Sequence, residues 1–479
     1  MAVLVLGVAA VAEDAAEPVD RGILDELANV SEVIDGAESF ENPADAVPGG
    51  EALTLTIEKC AALAIERNAQ AYIAETKIAA AKAKIGQASS ARLPQLSAKA
   101  AYSYVDGIQT DLNMGGAAGL LVNTKGMMPS KDTRTIQFDV TQVLYAGGQI
   151  AAAIRAAESL AQSEEWQKDV ALDTLEFQAK QAFYDCLLSR ALVRVAERSM
   201  TTFKRHLSDA QEAFDVGLIG NFEVLRAKTE LGAREADHTS AENAARLAMV
   251  NLRRLLAVSQ DTAITFEGKL DWVPLETPSE TLVAEALANR AELRALDAAK
   301  TAAQENLTRI KGQYKPKVAA QAQWSKIDGT GQFFPDGFQV SVGANYDIYA
   351  GGRRKNEVAE AEAQIDNLKY QVDDVQRLIE MDVQQSVIQV QNAIATIRRE
   401  KGTVELGTEG QRLAELRFQE GVGTQVETLD ADLALTTAET ALVRALRDYA
   451  VANAALHKAL GRSTTARRGE SETEAPCEK

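Results

Sequence analysis

The chain has 479 residues, of which 46% are hydrophobic and 25% are charged, so it can bury a sizeable core and is not a disordered chain. Only 5% of the residues are aromatic while alanine is abundant, which favours long helices packed through small side chains. The formal charge of −18 argues against nucleic acid as a partner, because phosphate binding needs a surplus of Lys and Arg.

The N-terminal region has the character of an export signal. Residues 2–12 form an apolar run that ends in Ala-Val-Ala, as in the hydrophobic region and cleavage site of a secretory signal. We interpret residues 1–12 as a signal-peptide remnant; its basic region is missing, so we expect the start codon a few residues upstream. A frayed apolar terminus is the alternative. Residues 13–50 hold eleven acidic residues and one basic residue, which predicts a flexible acidic leader over 13–52.

Residue types that commonly carry chemistry are scattered along the chain. The cysteines and histidines are Cys60, Cys186, Cys477, His206, His238 and His457. Their spacing predicts neither a disulfide framework nor a metal site, and we interpret Cys60 and Cys186 as small helix-packing residues. No Ser/His/Asp set or phosphate loop stands out, so we predict no enzyme and no cofactor. A hydrolase would need a convergent nucleophile, base and orienting residue, which the sequence does not show.

The chain contains an internal duplication, in which one unit of sequence occurs twice. The stretch from Asn68 to Pro94 recurs from Arg290 to Pro316, at an offset of 222 residues, and the Tyr-Ala-Gly-Gly motif at 145–148 recurs at 349–352, at an offset of 204. The difference places an 18-residue excess in the first copy, between Gly107 and Tyr145, where we predict a long surface loop.

The duplication predicts two structural repeats, 53–258 and 279–461, joined by a linker at 259–278 and followed by a disordered tail at 462–479. Each repeat is predicted to hold a helix ending before a proline, two strands and two long helices. The first helices are predicted at 55–92 and 280–313, the strands at 95–106, 135–145, 316–327 and 337–349, and the long helices at 149–216, 222–258, 352–419 and 425–461.

The four predicted strands alternate apolar and polar residues over about ten positions, which is the length and pattern of tilted strands that cross a membrane. No later stretch holds about 18 consecutive apolar residues, so a crossing must use strands. Four strands cannot close a barrel, and exposed strand edges are not tolerated in hydrocarbon, so the chain must share its barrel with other copies. Two copies would supply eight strands and three would supply twelve, and this pattern does not choose between them. A half-buried hairpin on a soluble domain is the alternative.

Heptad spacing marks the long helices. From Ala361 the apolar positions continue through Ile365, Leu368, Val372, Val375 and Ile379 in steps of three and four, the pattern of a coiled-coil seam. Turns are predicted at Gly217–Gly220 and Gly421–Gly423. A helix of about 68 residues would be about 100 Å long, which few compact domains need.

Several of these segments together resemble the TolC family of outer membrane channel proteins. The resemblance runs over residues 53–461 and includes the opening segment LTLTIEKCAALAIERNAQAYIAETK, the paired YAGG motifs, and the turns FDVGLIGNFEVLRAK and FQEGVGTQVETLDADLAL. It implies an α+β membrane protein: a homotrimer with a shared twelve-stranded barrel, four strands from each protomer, and a long antiparallel coiled-coil tunnel in the periplasm of a Gram-negative-type envelope.

The resemblance also implies two kinds of site at the far end of the tunnel. The turns that dock a periplasmic adaptor would be formed by Val216, Gly217, Leu218, Gly421, Val422, Gly423 and Thr424. A periplasmic gate would be lined by Glu223, Glu427 and Asp430, of which the last two share a helix face because they are three residues apart. Rings of such carboxylates would repel anions and favour cations. A solvated helix start, with acidic residues favoured by the helix dipole, is the alternative, and the glycines can be turn glycines only.

The tip turn itself supplies no basic partner for these carboxylates, since Gly423 or Gln425 stands where one would be expected. The function implied is an exit duct of a tripartite efflux pump or a type I secretion system. Its partners would be further copies of the chain, a periplasmic adaptor (membrane fusion) protein, an inner-membrane RND or ABC transporter, and outer membrane lipid. A soluble or peripheral coiled-coil scaffold is the rival hypothesis.

Overall fold

The computed structural model describes residues 53–104, 132–268, 270–273, 278–329 and 337–463. The predicted signal segment, the acidic leader, most of the long loop of the first repeat, the tail from 464 onward and Cys477 lie outside the described residues.

The described chain is mostly helical. In chain order the helices are α1 (Ile57–Arg67), α2 (Ala69–Ser90), α3 (Gln149–Asp215), α4 (Asn221–Leu255), α5 (Ser279–Asn289), α6 (Ala291–Lys311), α7 (Arg353–Gln419) and α8 (Gln425–Ala459). The strands are β1 (Leu53–Leu55), β2 (Gln95–Tyr104), β3 (Asp132–Tyr145), β4 (Ile264–Phe266), β5 (Lys317–Gly329) and β6 (Gly337–Asn345). A short 3₁₀ turn, Gly312–Tyr314, follows α6.

Two predicted helices are each broken in two. The helix predicted at 55–92 is interrupted at Asn68, whose backbone is extended at φ −72° and ψ 136° and whose side-chain amide donates to the Leu255 carbonyl at 2.8 Å. The helix predicted at 280–313 is interrupted at Arg290, at φ −63° and ψ 125°. Asn68 and Arg290 are equivalent at the offset of 222 residues, so the break occurs at the same place in both copies.

The four longer strands form one antiparallel sheet in the order β2-β3-β5-β6. The pairing of β3 with β5 joins the two copies of the repeat, with Thr141 opposite Gln321. Strand β3 starts at Asp132, earlier than predicted, and the Tyr102 hydroxyl on β2 donates to the Asp132 carboxylate at 2.7 Å. Strand β5 is displaced from its predicted bounds by one residue at its start and two at its end.

Strand β6 ends at Asn345 rather than at 349, because the chain is already held in the turn to α7. Arg354 on α7 donates to the Asp347 carbonyl at 2.6 Å and pairs with its carboxylate at 3.2 Å. All residues of β2 and β6 are exposed in the single chain. Among the described residues, the two outer strands of the sheet therefore have unpaired outer edges and exposed faces.

Part of the predicted linker at 259–278 forms a strand. Strand β4 within it pairs in parallel with β1, with Leu53 opposite Ile264. Phe266 of β4 packs edge-on against the buried Phe183 ring at 5.3 Å between centroids, and the Arg190 guanidinium lies over Phe266 at 4.6 Å. At the predicted start of the tail, Arg462 pairs with Glu285 at 2.7 Å.

The chain divides into two compact units. The first, called here the sheet unit, contains Gln70–Ala171 and Ala286–Met381, and with them the four-stranded sheet. The second, called here the turn unit, contains the described parts of Met1–Ala69, Leu172–Glu285 and Asp382–Ser463. The predicted heptad positions Ala361, Ile365 and Ile379 are buried within the sheet unit. Within the described ranges, no helix has the length and apolar character to cross a membrane.

Candidate functional site

The turn between α3 and α4 is built on a glycine in the left-handed region. Gly217 has φ +79°, its amide donates to the Phe214 carbonyl at 2.9 Å, and the Leu218 amide donates to the Ala213 carbonyl at 2.8 Å. This pairing of the last carbonyls of a helix is the usual way to end it, and only glycine adopts the conformation without strain. The turn projects Val216 and Leu218 outward, 71% and 78% exposed.

The turn between α7 and α8 also begins with a left-handed glycine, but its second half is more tightly folded against the end of α7. Gly421 has φ +73°, and the amides of Val422 and Gly423 both donate to the Arg417 carbonyl, at 3.0 and 2.8 Å. A Cβ on Gly423 would lie 3.0 Å from atoms of Arg417, so close approach, and not φ, favours glycine at this position. Thr424 caps α8, with its hydroxyl accepting from the Glu427 amide at 3.3 Å.

Both turns present large apolar side chains to solvent. Besides Val216 and Leu218, Phe222 is 72% exposed and Val422 is 71% exposed. Where exposed apolar side chains form a contiguous patch, that patch commonly marks a place where another protein binds. The structure thus places the predicted docking residues at two exposed apolar turns, and their role in adaptor docking stays a prediction.

The predicted gate carboxylates lie in the first two turns of two helices. Glu427 and Asp430 on α8 are exposed, and Glu223 on α4 is half-buried, with its Oε2 atom 3.1 Å from the place of a Cβ on Gly220. The structure brings Glu427 and Asp430 onto one side of α8, whereas in the described chain no contact joins Glu223 to either of them. Asp430 makes no ion pair within the described ranges.

Glu427 does have a basic partner, which the sequence prediction missed. The Arg417 guanidinium, in the last turn of α7, lies 3.5 Å from the Glu427 carboxylate. The expected position of a partner was in the turn, at Gly423 or Gln425, but the sharp turn instead brings the end of α7 beside the start of α8. The pair could have been predicted from the sequence, because Arg417 lies in the last turn of one predicted helix and Glu427 lies in the first turn of the next.

A buried polar cluster lies one turn further along α8. Asp432 is 4% exposed and accepts hydrogen bonds from two other helices: from His206 Nε2 on α3 and from Gln411 Nε2 on α7, the latter at 2.5 Å. His206 is 7% exposed, and this contact with Asp432 was not predicted from the sequence. Residues two apart on a helix do not face the same way, which is why Asp430 points to solvent while Asp432 points inward.

The surroundings of this cluster are apolar inside and charged outside. The Phe203 ring packs edge-on against the His206 ring at 5.9 Å between centroids. On the rim, Arg205 pairs with Glu415 at 2.9 Å, and Arg198 lies 3.3 Å from Glu439. Burial raises the pKa of Glu439, and the charge of Arg198 works against that rise. The cluster joins three helices behind the predicted gate residues.

The remaining residues singled out by the sequence are structural. Cys60 and Cys186 are buried, as expected of small helix-packing residues, and this burial raises the pKa of each thiol to about 12. In the described residues no group of three or more His, Cys, Asp or Glu could hold a metal ion.

Comparison with known proteins identifies the family and the fold of this chain. The family model "Outer membrane efflux protein" matches residues 61–258 and 282–462. The outer membrane efflux protein BepC of Brucella suis biovar 1 is 26% identical over 362 residues, which cover 72% of this chain and 76% of BepC. The outer membrane protein TolC of Escherichia coli K12 is 23% identical over 400 residues, which cover 80% of this chain and 77% of TolC.

A solved structure shows the same fold. The crystal structure of the CmeC outer membrane channel of Campylobacter jejuni matches with a TM-score of 0.71 at 14% identity, covering 87% of this chain and 89% of CmeC. This likeness confirms the predicted TolC-like fold. On the match of its family model over both repeats, the chain belongs to the outer membrane efflux protein family, a family of channels and not of enzymes.

Proposed function

We propose that the chain is one subunit of a homotrimeric outer membrane channel, the exit duct of a tripartite efflux pump or a type I secretion system. The observation that carries the proposal is the four-stranded sheet whose outer strands, β2 and β6, have unpaired edges and exposed faces. Lipid does not tolerate unpaired backbone groups, so a sheet of this kind must continue into neighbouring copies and close. Three copies would give a twelve-stranded barrel, wide enough for an aqueous lumen.

The exposed apolar turns are the proposed docking surface for a periplasmic adaptor protein. Val216, Leu218 and Val422 would enter grooves of the adaptor, and the glycines of both turns would keep the backbone tight enough for that approach. An inner-membrane transporter of the RND or ABC class would supply both cargo and energy, because the proposed channel is a passive passage.

The proposed gate is formed where three copies bring their α8 starts together. Glu427 and Asp430, exposed in the single chain, would then line the passage as rings of negative charge that favour cations. The contact between Arg417 and Glu427 within one hairpin would fix one carboxylate until the hairpin moves. Secreted polypeptides, small toxic compounds and metal ions are all compatible cargoes.

The test is planar-bilayer conductance of the detergent-purified chain, with the oligomeric mass measured on the same sample by light scattering. A trimer that gives discrete, cation-selective current steps is the expected result. A monodisperse protein that needs no detergent and carries no current would contradict the channel and favour the coiled-coil scaffold.

A further inference from the structure

Residues 271–273 of the predicted linker are held against the long helices of the turn unit. Tyr449 of α8 is 6% exposed, and its hydroxyl accepts from the Val273 amide at 3.0 Å and donates to the Val273 carbonyl at 2.8 Å. The Trp272 amide donates to the neighbouring Asp271 carboxylate at 2.7 Å. These hydrogen bonds fix the backbone on both sides of the Trp272 ring.

Two cations of α7 lie over the Trp272 ring. The Arg398 guanidinium is 5.5 Å from the ring centroid, and the Lys401 ammonium is 5.7 Å from it. An aromatic face attracts a cation at such distances. Two like charges beside one ring also repel each other, and the ring carries no net charge to offset them.

Neither cation has an acidic partner within the described ranges. Glu400, which stands between them in the sequence, pairs with Arg399 at 2.7 Å. Arg398 is exposed and Lys401 is half-buried, so an anion can approach both from solvent. In a chain whose formal charge is −18, acidic residues are in excess, and this place still has none.

The first copy of the repeat does not have this pair of cations. At the offset of 204 residues, Arg398 corresponds to Arg194 and Lys401 corresponds to Glu197. The first copy thus has one charge of each sign where the second copy has two positive charges. The uncompensated pair belongs to the second copy, on the helix that meets Trp272.

The acidic leader joins the described structure close to this linker. Residues 13–50 hold eleven acidic residues and one basic residue, and β1 begins at Leu53. Leu53 lies opposite Ile264 on β4, and its amide donates to the Ala263 carbonyl at 2.9 Å. Trp272 follows Ile264 by eight residues, so it lies at most about 29 Å from Ile264, the length of that stretch fully extended.

Acidic residues near the end of the leader can reach that far. Glu38, Glu41 and Asp45 precede Leu53 by 15, 12 and 8 residues. Fully extended at about 3.6 Å per residue, these stretches span about 54, 43 and 29 Å. A segment tethered this close to its binding place has an effective concentration on the order of millimolar, so weak charge contacts are enough to hold it.

We propose that the acidic leader binds Arg398 and Lys401 of its own chain beside the Trp272 ring, through the carboxylates of Glu38, Glu41 and Asp45. The guanidinium offers a carboxylate two parallel N–H donors, and the ammonium offers a compact positive charge. The contact ties the leader to the linker between the two repeats. It goes beyond the proposed channel function and does not depend on it.

Zero-length cross-linking of the full-length chain in detergent tests this contact. A carbodiimide joins a lysine amine to a carboxylate that touches it, forming an amide with loss of water. Linked peptides are identified by mass spectrometry from the monomer band of a denaturing gel. We expect Lys401 to be linked to Glu38, Glu41 or Asp45, and these links should be lost in about 1 M salt, where the Debye length is about 3 Å.

Two other lysines are the control within the same sample. Lys204 on α3 and Lys228 on α4 are exposed, lie in the same unit near the turn at Gly217, and make no ion pair within the described ranges. Links from these lysines to the leader that are as frequent as those from Lys401 would overturn the site. Links from Lys401 that occur only in dimer or trimer bands would overturn the assignment to the leader of the same chain.

Charge reversal tests the contact without a cross-linker. In Arg398→Glu with Lys401→Glu, cleavage after Glu38 and Glu41 by a glutamate-specific protease should be about fivefold faster than in the parent chain, the factor that about 1 kcal/mol represents. The matched variant Lys204→Glu with Lys228→Glu should be cleaved at the parent rate, and circular dichroism shows that both variants keep their helices. Equal cleavage rates in the two variants would contradict the proposal.

Discussion

The two helical hairpins of the repeats have the same backbone and different polar groups. Helices α3 and α7 are each 67 residues long, and α4 and α8 are each 35 residues long. Gly217 and Gly421, equivalent residues, end the long helices with the same left-handed conformation. The length of the helices and the place of the turn are thus set by features that both copies keep.

The charged residues around the turns differ between the two copies of the repeat. Glu223 and Glu427 are equivalent, but the residue opposite Glu427 is Arg417 and its equivalent in the first copy is Ala213. The buried Asp432 has Lys228, an exposed residue, as its equivalent. Of the two hairpins, only the second therefore has the Arg417–Glu427 pair and a buried carboxylate at the position of Asp432, on a backbone common to both.

Removing Asp432 from the buried cluster is expected to have the largest effect on the free energy of unfolding. Replacing Asp432 with Ala leaves His206 and Gln411 without their shared acceptor, and each buried group left without its hydrogen bond costs about 1–3 kcal/mol. The thermal unfolding midpoint, followed by circular dichroism in detergent, should fall strongly. The control, Asp430→Ala, removes an exposed carboxylate two residues away and should change stability by about 0.5 kcal/mol or less. Equal shifts in the two variants would show that the cluster does not hold the helices.

The two turns should respond differently to a methyl group. In Gly423→Ala the new Cβ would lie 3.0 Å from Arg417 and Phe418, and overpacking of this kind costs about 1–3 kcal/mol. In Gly217→Ala the Cβ enters open space, and only the left-handed backbone is penalised, by about 1–2 kcal/mol. Unfolding midpoints of the two variants, each compared with the parent chain, measure this difference. A larger loss in Gly217→Ala would mean that the left-handed backbone at Gly217 costs more than the close approach at Gly423.

The gate carboxylates should act on current and not on stability. A unit charge about 4 Å from an ion is worth about 1 kcal/mol in water, so the double variant Glu427→Ala with Asp430→Ala should lower cation over anion permeability by about fivefold. Reversal potentials in asymmetric salt measure this ratio. The control variant replaces Glu235 and Glu405, two exposed carboxylates of the turn unit away from the turns, with Ala and should leave the ratio unchanged. Unaltered selectivity in the gate variant would favour the solvated helix start.

The smallest expected effect is on the pH dependence of stability, and it concerns a histidine at the end of the second hairpin that lies far from the turn. His457 stands where the first copy has Arg253, which donates to the Thr262 carbonyl at 3.0 Å. Burial, and then the nearby charge of Arg462, lowers the pKa of His457. The unfolded histidine, with a pKa of about 6.5, takes up a proton first as pH falls, so the folded chain loses stability below that value.

The variant His457→Gln should remove this part of the pH dependence, measured as the difference between unfolding midpoints at about pH 8 and about pH 5.5, on either side of the unfolded pKa. His238→Gln serves as the control, because His238 lies near the surface beside Glu242. A pH dependence that is the same in the His457→Gln variant and in the parent chain would contradict the assignment.

Local and periodic features of the fold could be predicted from the sequence. Proline and glycine positions placed the helix ends, the strand alternation placed the sheet, and the heptad steps through Ile365 and Ile379 placed a buried face. The breaks at Asn68 and Arg290 were not predicted, because each depends on backbone packing that an uninterrupted apolar pattern does not reveal.

By itself, the sequence determined the duplication, the turns at Gly217 and Gly421, and the acidic residues that follow them, because backbone sterics and side-chain periodicity act within a few residues. Only the tertiary structure decided which charges meet. His206 reaches Asp432 across 226 residues, and Arg417 reaches Glu427 because the turn between them is tight. Contacts between distant parts of a chain depend on how helices pack side by side, and that packing, unlike periodicity, leaves no fixed spacing in the sequence.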